Sequence, residues 1–142
     1  MKISLASDHG GWQLKNQVAG YLKQLGHTVV DFGTYSTERC DYPDFARPAA
    51  LAVANGECER GILVCTTGIG VSMVANKIKG VRCALCTNPD MAKMTRAHNN
   101  ANVIAMGQKY VDFDTAKQIV DYFLNTPFDG GVHATRVNKI EE

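Results

Sequence analysis

Hydrophobic positions along this chain follow two patterns that alternate. Short apolar runs rich in β-branched residues, such as 2–7 and 61–65, are separated by longer segments in which apolar residues recur every three or four positions. The first pattern is typical of buried strands and the second of amphipathic helices. Their regular alternation predicts a parallel sheet covered by helices on both faces.

The pattern predicts five strands, at residues 2–7, 28–32, 61–65, 81–86 and 102–106. Helices are predicted at 11–25, from Tyr42-Pro43 to 54, from the glycine turn at 67–70 to about 78, from Asn88-Pro89-Asp90 to 97, and at 113–124, with a short helix after Gly130-Gly131. We expect Leu25 to face inward with the rest of the first helix, and Val137 and Ile140 to anchor the last one. The prediction is one domain, 1–142, a Rossmann-like three-layer αβα sandwich with a five-stranded parallel sheet.

Composition and charge narrow the classes of function. The net charge is +1, which argues against a nucleic-acid binder that works through a large basic field. No apolar stretch approaches the roughly 20 residues of a membrane helix, and no basic region followed by an apolar run opens the chain. The cysteines are five, an odd number, so we expect free thiols in a reducing, cytoplasmic compartment.

Polar and ionisable residues cluster beside the ends of the predicted strands. In parallel α/β sheets, ligands bind outside the carboxyl ends of the strands, so we expect these residues to form the site. They are Ser7-Asp8-His9-Gly10-Gly11, Cys65-Thr66-Thr67-Gly68-Ile69-Gly70-Val71-Ser72, His98-Asn99-Asn100-Ala101-Asn102, Gly107 and Lys109.

The turn after Cys65 carries the most chemical information. A cysteine ends a buried strand and leads into a glycine-rich turn, whose N–H groups can bind an anion and favour a thiolate. The hydroxyl of Thr67 could hydrogen-bond the sulfur; a buried structural cysteine is the alternative. Asp8 could instead cap the first helix, His9 could be a surface turn residue, and His98 could be a helix C-cap. Cys83 and Cys86, three positions apart in a strand, should face opposite sides of the sheet as core residues.

With these motifs in place, the chain resembles the ribose-5-phosphate isomerase B family, which includes the galactose-6-phosphate isomerase subunits. The matching segments stand in family order over nearly the whole chain. They are Ser7-Asp8-His9-Gly10-Gly11, Asp31-Phe32-Gly33-Thr34, Asp41-Tyr42-Pro43, Cys65-Thr66-Thr67-Gly68-Ile69-Gly70-Val71-Ser72, Ala75-Asn76-Lys77, His98-Asn99-Asn100-Ala101-Asn102-Val103 and Gly130-Gly131-Val132-His133-Ala134-Thr135-Arg136-Val137.

The resemblance implies an aldose–ketose isomerase of carbohydrate metabolism, acting on ribose 5-phosphate in the pentose phosphate pathway without metal or cofactor. Cys65 would be the catalytic base, supported by Thr67, and His98 would assist ring opening. The family site lies at a dimer interface, in a homodimer or a tetramer, with several residues supplied by the second subunit. The implied substrate-binding residues are Asp8, His9, Tyr42, the backbone from Gly68 through Gly70 to Ser72, Asn99, Lys109, His133 and Arg136.

Two positions depart from the family pattern. The family usually has arginine where this chain has Lys109 and Val132, and both positions commonly contact the substrate phosphate. Lysine keeps the charge but loses the two-pronged guanidinium, and valine donates no hydrogen bond. The phosphate site would therefore rely on Arg136 and Lys109, with His133 or His9.

Three alternatives stay open at this point. A nucleotide-binding Rossmann-like module would need a third glycine where Met73 stands and an acid near Thr87-Asn88. A phosphoacceptor signalling domain would need an aspartate where Cys65 stands. Within the family, the chain could isomerise a six-carbon sugar phosphate or a free aldose, or serve as a non-catalytic partner subunit.

Overall fold

The computed structural model describes all 142 residues. Its strands are β1 (Lys2–Ser7), β2 (Thr28–Asp31), β3 (Arg60–Cys65), β4 (Cys83–Leu85) and β5 (Val103–Gly107). Its helices are α1 (Trp12–Gln24), α2 (Pro43–Ala54), α3 (Ile69–Asn76), α4 (Pro89–Asn99), α5 (Phe113–Asn125) and α6 (Val132–Ile140). A 3-10 turn, His9–Gly11, joins β1 to α1.

The five strands form one parallel sheet in the order β2-β1-β3-β5-β4, which confirms the predicted three-layer sandwich. Side chains of β3 alternate between two apolar cores because successive residues of a strand point to opposite faces. Ile62 and Val64 pack in the core that α1, α4 and α5 cover. Leu63 and Cys65 pack in the core under α2 and α3. The central strand is thus buried on both sides, as its apolar run predicts.

Parallel connectivity gives the sheet two functionally different edges. Each helix that links two strands begins where the first strand ends and runs back to where the next one starts. We call the side at which the strands end the carboxyl edge; it holds Cys65 and the start of α3. We call the opposite side the amino edge; it holds the end of α4 at Asn99, just before β5.

Element bounds differ from the sequence prediction in a few places. Strand β4 covers Cys83–Leu85 rather than 81–86, because the Arg82 amide donates to the side chain of Asn102 (2.9 Å) instead of extending the sheet. Leu25 is 47% exposed because α1 ends one residue before it, and Ile140 is 62% exposed. The expectation that these two residues pack inward is therefore wrong, and Val137 is the buried residue of α6.

The two cysteines around β4 face opposite cores, as predicted. Cys86 is fully buried on the α1 side, and Cys83 packs, partly exposed, on the α3 side. Burial raises the pKa of both thiols, that of Cys86 to about 12, so both stay protonated and inert near neutral pH. None of the six helices is both long and apolar enough to cross a bilayer.

Candidate active site

Cys65 ends the central strand at the carboxyl edge, and the residue as a whole is 4% exposed. The amide of Gly68 donates to Sγ over 3.1 Å, and an N–H directed at sulfur stabilises negative charge there. Gly68 has a φ of 78°, and a Cβ on it would lie 2.7 Å from Leu85 Cδ1 and 2.9 Å from the Gly107 amide nitrogen. Only glycine fits this turn, so the backbone itself directs the donor at the sulfur.

The other amides of this turn are divided between internal and free donors. The Ile69 amide donates to Thr67 Oγ1 (3.2 Å), and the Ser72 amide donates to the Gly68 carbonyl (3.2 Å). Those of Gly70 and Val71 donate to no acceptor in the chain. At the start of a helix, such unpaired N–H groups form an anion site.

Only part of the backbone from Gly68 to Ser72 is available to a ligand, although the sequence predicted that all of it would be. Gly68 donates to the sulfur and Ser72 completes the first helical turn, with its hydroxyl donating to the Ile69 carbonyl over 2.7 Å. Thr67 is also placed differently from the expectation, because its hydroxyl oxygen accepts from Ile69 and makes no hydrogen bond with Cys65.

Cys65 opens on a cavity of about 420 Å³, within the size range of small-ligand sites. One side is formed by Tyr42, whose ring is so close to Gly70 that a Cβ there would lie 2.6 Å from Cζ. On another side, the buried carboxylate of Asp8 accepts from the amides of Gly10 (2.9 Å) and Gly11 (3.1 Å). The lining residues are Asp8, Tyr42, Cys65, Thr66, Thr67, Ile69, Gly70 and Met73.

A second cavity, of about 580 Å³, shares Asp8 and Tyr42 with the first. His9 lines it, and its Nδ1 accepts from the amide of Cys40 over 3.2 Å. Asp8 therefore caps the 3-10 turn His9–Gly11 rather than α1, whose N-cap is Gly11, and it also lies beside the cavity. The remaining lining residues are Arg39, Cys40, Asp41, Pro43 and Asp44.

Lys109 also lies at the carboxyl edge, next to the Cys65 turn. Its amide donates to the Thr66 carbonyl (3.0 Å), and its side chain is exposed, with Nζ 5.7 Å from the centre of the Tyr110 ring. Met73 and Arg39 line these two cavities, and neither was predicted from the sequence as a site residue. For Met73 the available signal was its position one helical turn after Ile69, while Arg39 was a lone cation in a loop before Asp41-Tyr42-Pro43.

Four of the predicted site residues lie elsewhere, at the amino edge. His98 is near the end of α4, and its ring stacks on that of His133 in α6, with centroids 4.1 Å apart and planes 11° from parallel. Asn99 lines a separate cavity of about 250 Å³, and the exposed Arg136 lies one turn beyond His133 in α6. None of the four lines either cavity at the carboxyl edge.

The expectation that all the polar clusters would meet at one edge is therefore wrong for a single chain. His98 and Asn99 precede β5 rather than follow it, so the helix that carries them has already returned to the opposite side of the sheet. The chain has two groups of candidate residues. The Cys65 group contains Asp8, His9, Tyr42, Cys65, Thr67, Gly68, Gly70, Ser72 and Lys109, and the His98 group contains His98, Asn99, His133 and Arg136.

A buried arginine fixes the backbone around the His98 group. Arg96 donates to the carbonyls of Ala101 (2.7 Å) and Thr126 (3.3 Å) and to the side chain of Asn100 (2.9 Å). Burial, with the nearby charges of Arg60 and Arg82, lowers the pKa of Arg96 to about 10, so it stays cationic at neutral pH. It thereby joins the end of α4 to the segment after α5.

A five-stranded parallel sheet, with a cysteine–glycine turn and a cavity at the end of its central strand, places the chain among the α/β proteins that bind small ligands at this edge. The model of one family, described as Ribose/Galactose Isomerase, matches residues 3–140. The chain belongs to this family.

Relatives and solved structures agree with that assignment. Ribose-5-phosphate isomerase B of Escherichia coli (strain K12) is 45% identical over 139 residues, covering 98% of this chain and 93% of that protein. The structure of ribose-5-phosphate isomerase B from Clostridium thermocellum superposes with a TM-score of 0.98 at 53% identity, covering 99% and 95% of the two chains. That of the Mycoplasma genitalium enzyme with bound ribulose-5-phosphate has a TM-score of 0.94 at 43% identity, covering 99% and 93%.

Proposed function

We propose that this chain is an aldose–ketose isomerase that interconverts ribose 5-phosphate and ribulose 5-phosphate through a cis-enediolate. The observation that carries the proposal is the Cys65 sulfur, which receives an N–H from Gly68 and opens on a cavity large enough for a sugar phosphate. The names of its relatives, and the ribulose-5-phosphate bound in the Mycoplasma genitalium structure, support the same substrate.

The chemistry follows from the Cys65 group. The Cys65 thiolate removes the proton from C2 of the open-chain aldose, and the electrons move to the C1 oxygen, which becomes an enediolate oxygen. The two free amides of Gly70 and Val71 donate to that oxygen. A proton then passes from the C2 hydroxyl to the C1 oxygen as the C2 carbonyl forms, and the Cys65 thiol returns its proton to C1. General base catalysis contributes about 10²–10⁴-fold, and a preorganised donor about 10²–10³-fold.

The His98 group performs the steps that Cys65 cannot. Ribose 5-phosphate is largely a furanose, and its ring must open before C2 carries an acidic proton. His98 moves a proton from the anomeric hydroxyl to the ring oxygen, while Arg136 and His133, together with Lys109 and His9 from the Cys65 group, bind the phosphate and Asn99 binds a sugar hydroxyl. In the Cys65 group, Asp8 and Tyr42 contact the sugar.

One active site needs both groups, and one chain holds them at opposite edges of its sheet. A homodimer with two-fold symmetry solves this: when the carboxyl edge of one copy packs on the amino edge of the other, the symmetry makes the reverse contact as well and completes both sites. Exposed apolar side chains next to both groups support such an interface: Met73 is 63% exposed at the carboxyl edge and Val132 64% at the amino edge. The dimer is the smallest assembly that completes the site, and a tetramer would contain two such dimers.

The five unpaired cysteines support a reducing, cytoplasmic location, in which a catalytic thiol stays reduced. There the isomerase would serve carbohydrate metabolism as a step of the pentose phosphate pathway. No metal and no cofactor enters the proposed steps, since the base, the oxyanion donors and the proton carrier are all groups of the protein.

Cys65→Ala tests the proposal. We expect kcat/KM for ribose 5-phosphate to fall by at least about 10²-fold, because the base is removed. Cys83→Ala is the matched control: its thiol is held protonated by burial, so activity should not change. Turnover near the wild-type rate for Cys65→Ala, with equal thermal stability, would contradict the assignment of Cys65 as the base.

A six-carbon sugar phosphate, such as allose or galactose 6-phosphate, is the second candidate substrate. Lys109 and Val132 are the reason to test it, because they stand where the family usually has arginine and so change the phosphate end of the site. Comparing kcat/KM for ribose, allose and galactose phosphates and their free sugars decides between the two candidates. The pentose phosphate should rank first.

A further inference from the structure

Three ionisable side chains from three separate segments meet at the amino edge. His98 comes from α4, His133 from α6, and Asp129 from the loop between α5 and α6. Their side-chain ligand atoms all lie within 4.8 Å of one another, and Asp129 Oδ2 is 4.0 Å from His98 Nε2. Asp129 has no part in the proposed function so far.

The backbone fixes where the Asp129 carboxylate lies. The amide of Asp129 donates to the carbonyl of Ala97, the residue just before His98, over 3.0 Å. The loop continues into α6 through a bond from the His133 amide to the Gly130 carbonyl (3.1 Å). The carboxylate itself makes no hydrogen bond within the chain, and its ionisable neighbours are the imidazole of His98, 4.0 Å away, and that of His133, within 4.8 Å.

The ring geometry distinguishes between two uses of this cluster. Two histidines and an aspartate are a possible set of metal ligands. However, the lone pairs of imidazole lie in the ring plane, and the planes of His98 and His133 are stacked only 11° from parallel. They cannot both point at one ion unless a ring turns. The Asp129 carboxylate, beside the His98 ring of the stacked pair, is instead placed to stabilise a single positive charge on His98.

We propose that Asp129 is a positioning residue for ring opening: its carboxylate stabilises the imidazolium of His98, while the stacked ring of His133 holds the plane of that imidazole. This inference rests on the proposed function. In the step concerned, His98 accepts the proton of the anomeric hydroxyl, the bond from C1 to the ring oxygen breaks as the C1 carbonyl forms, and the imidazolium returns its proton to the ring oxygen.

The size of the effect follows from the separation and the exposure. A unit charge pair 4.0 Å apart, with His98 40% and Asp129 56% exposed, is largely screened by water. Losing the carboxylate should slow enzyme-catalysed ring opening by about fivefold. Proton abstraction by Cys65 should be unaffected, because Asp129 lies at the other edge of its own sheet and acts only through His98.

Ring opening can be measured alone in the Cys65→Ala background, where isomerisation is blocked. Exchange between the α and β furanose anomers of [1-¹³C]ribose 5-phosphate passes through the open chain, and NMR exchange spectroscopy gives its rate. Cys65→Ala should accelerate exchange over buffer. Adding His98→Asn should abolish the acceleration, and adding Asp129→Asn should reduce it about fivefold.

Two further variants separate charge from structure. Adding Asp129→Glu should restore most of the acceleration, since the charge is kept. Adding Asp114→Asn, which removes another exposed carboxylate paired with a cation (3.3 Å to Lys117), should leave exchange unchanged. Asp129→Asn should unfold at the temperature of the parent protein, because the backbone bond to Ala97 is retained.

The outcomes distinguish this inference from the proposed function. If Asp129→Asn kept the full acceleration of exchange while His98→Asn abolished it, the role of Asp129 would be overturned and that of His98 would stand. Equal acceleration with and without His98 would remove the ring-opening role of His98, and the inference would fall with it. A partial loss that Asp129→Glu does not restore would show that the loop conformation matters rather than the charge, and would also overturn the inference.

Discussion

The two edges of the sheet are built in different ways, although both hold candidate active-site residues. At the carboxyl edge, the site is made mainly of backbone: the amide that faces Cys65 is fixed by a left-handed glycine packed against Leu85 and β5. At the amino edge, side chains make the defining contacts: the rings of His98 and His133 stack, and nearby Arg82 forms an ion pair with Glu141 (2.7 Å). The backbone site should therefore be sensitive to a Cβ added to a glycine of the turn. The amino edge should be sensitive to the loss of a charged side chain.

Among substitutions that test this difference between the edges, the largest effect should come from adding one methyl group at the carboxyl edge. In Gly70→Ala, the new Cβ would lie 2.6 Å from Cζ of Tyr42 and displace the ring that lines the Cys65 cavity. We expect kcat/KM for ribose 5-phosphate to fall by about 10–100-fold, the scale of a misplacement by about 1 Å. Thermal stability should change little, because Tyr42 is 38% exposed and can swing outward.

Gly20→Ala is the matched control for that variant. Gly20 lies in α1, where a Cβ would meet no atom within 4 Å, and the exchange gives a similar gain in helix propensity. Its activity should equal that of the wild type. If Gly70→Ala also kept full activity, the close packing of Tyr42 on the turn would have no bearing on catalysis.

A smaller effect, on stability rather than rate, should distinguish the amino edge. Glu141 accepts from Arg82 (2.7 Å) and from the Gly80 amide (2.9 Å), so it ties the end of α6 to the start of β4. The hydrogen bond from Arg82 is the main cause that lowers the pKa of Glu141 from its ordinary 4.5, against a smaller opposing effect of burial. The carboxylate therefore stabilises the fold above about that pH, and the contribution is lost as the pH falls through the lowered pKa.

Glu141→Gln should accordingly cost up to about 1 kcal/mol at pH 7, and the difference from wild type should shrink as the pH is lowered below 4.5. Urea unfolding at several pH values measures the loss of stability at pH 7 and its change with pH. Glu142→Gln, one residue later and without an ion pair, is the control. A pH-independent difference would contradict an electrostatic origin.

The contrast between the edges also explains what the sequence could predict. The strands, the helices and the Cys65 turn follow from local patterns: apolar alternation, a glycine that no other residue can replace, and caps such as Asn88, which accepts from the Met91 amide (2.9 Å). The cavity at the end of the central strand followed from the parallel order of strands. All of these depend on short stretches of chain.

The remaining features depend on contacts between distant segments. Asp129 gave no signal in the sequence, because its approach to His98 is set by the packing of α6 on α4. The placement of His98 with the strand ends was wrong because proximity to a strand in sequence does not say at which end of it a residue lies. The free amides of Gly70 and Val71 could be found only by accounting for every donor of the turn.

The central claim is that the Cys65 group of one copy and the His98 group of another form one active site. Cys65→Ala and His98→Asn, each poorly active alone, can be unfolded together in equal amounts and refolded. Half of the dimers should then be mixed, with one intact site of two, so activity should recover to about a quarter of the wild-type level. Activity that stays at the mean of the two separate variants would contradict a shared site and place catalysis within a single chain.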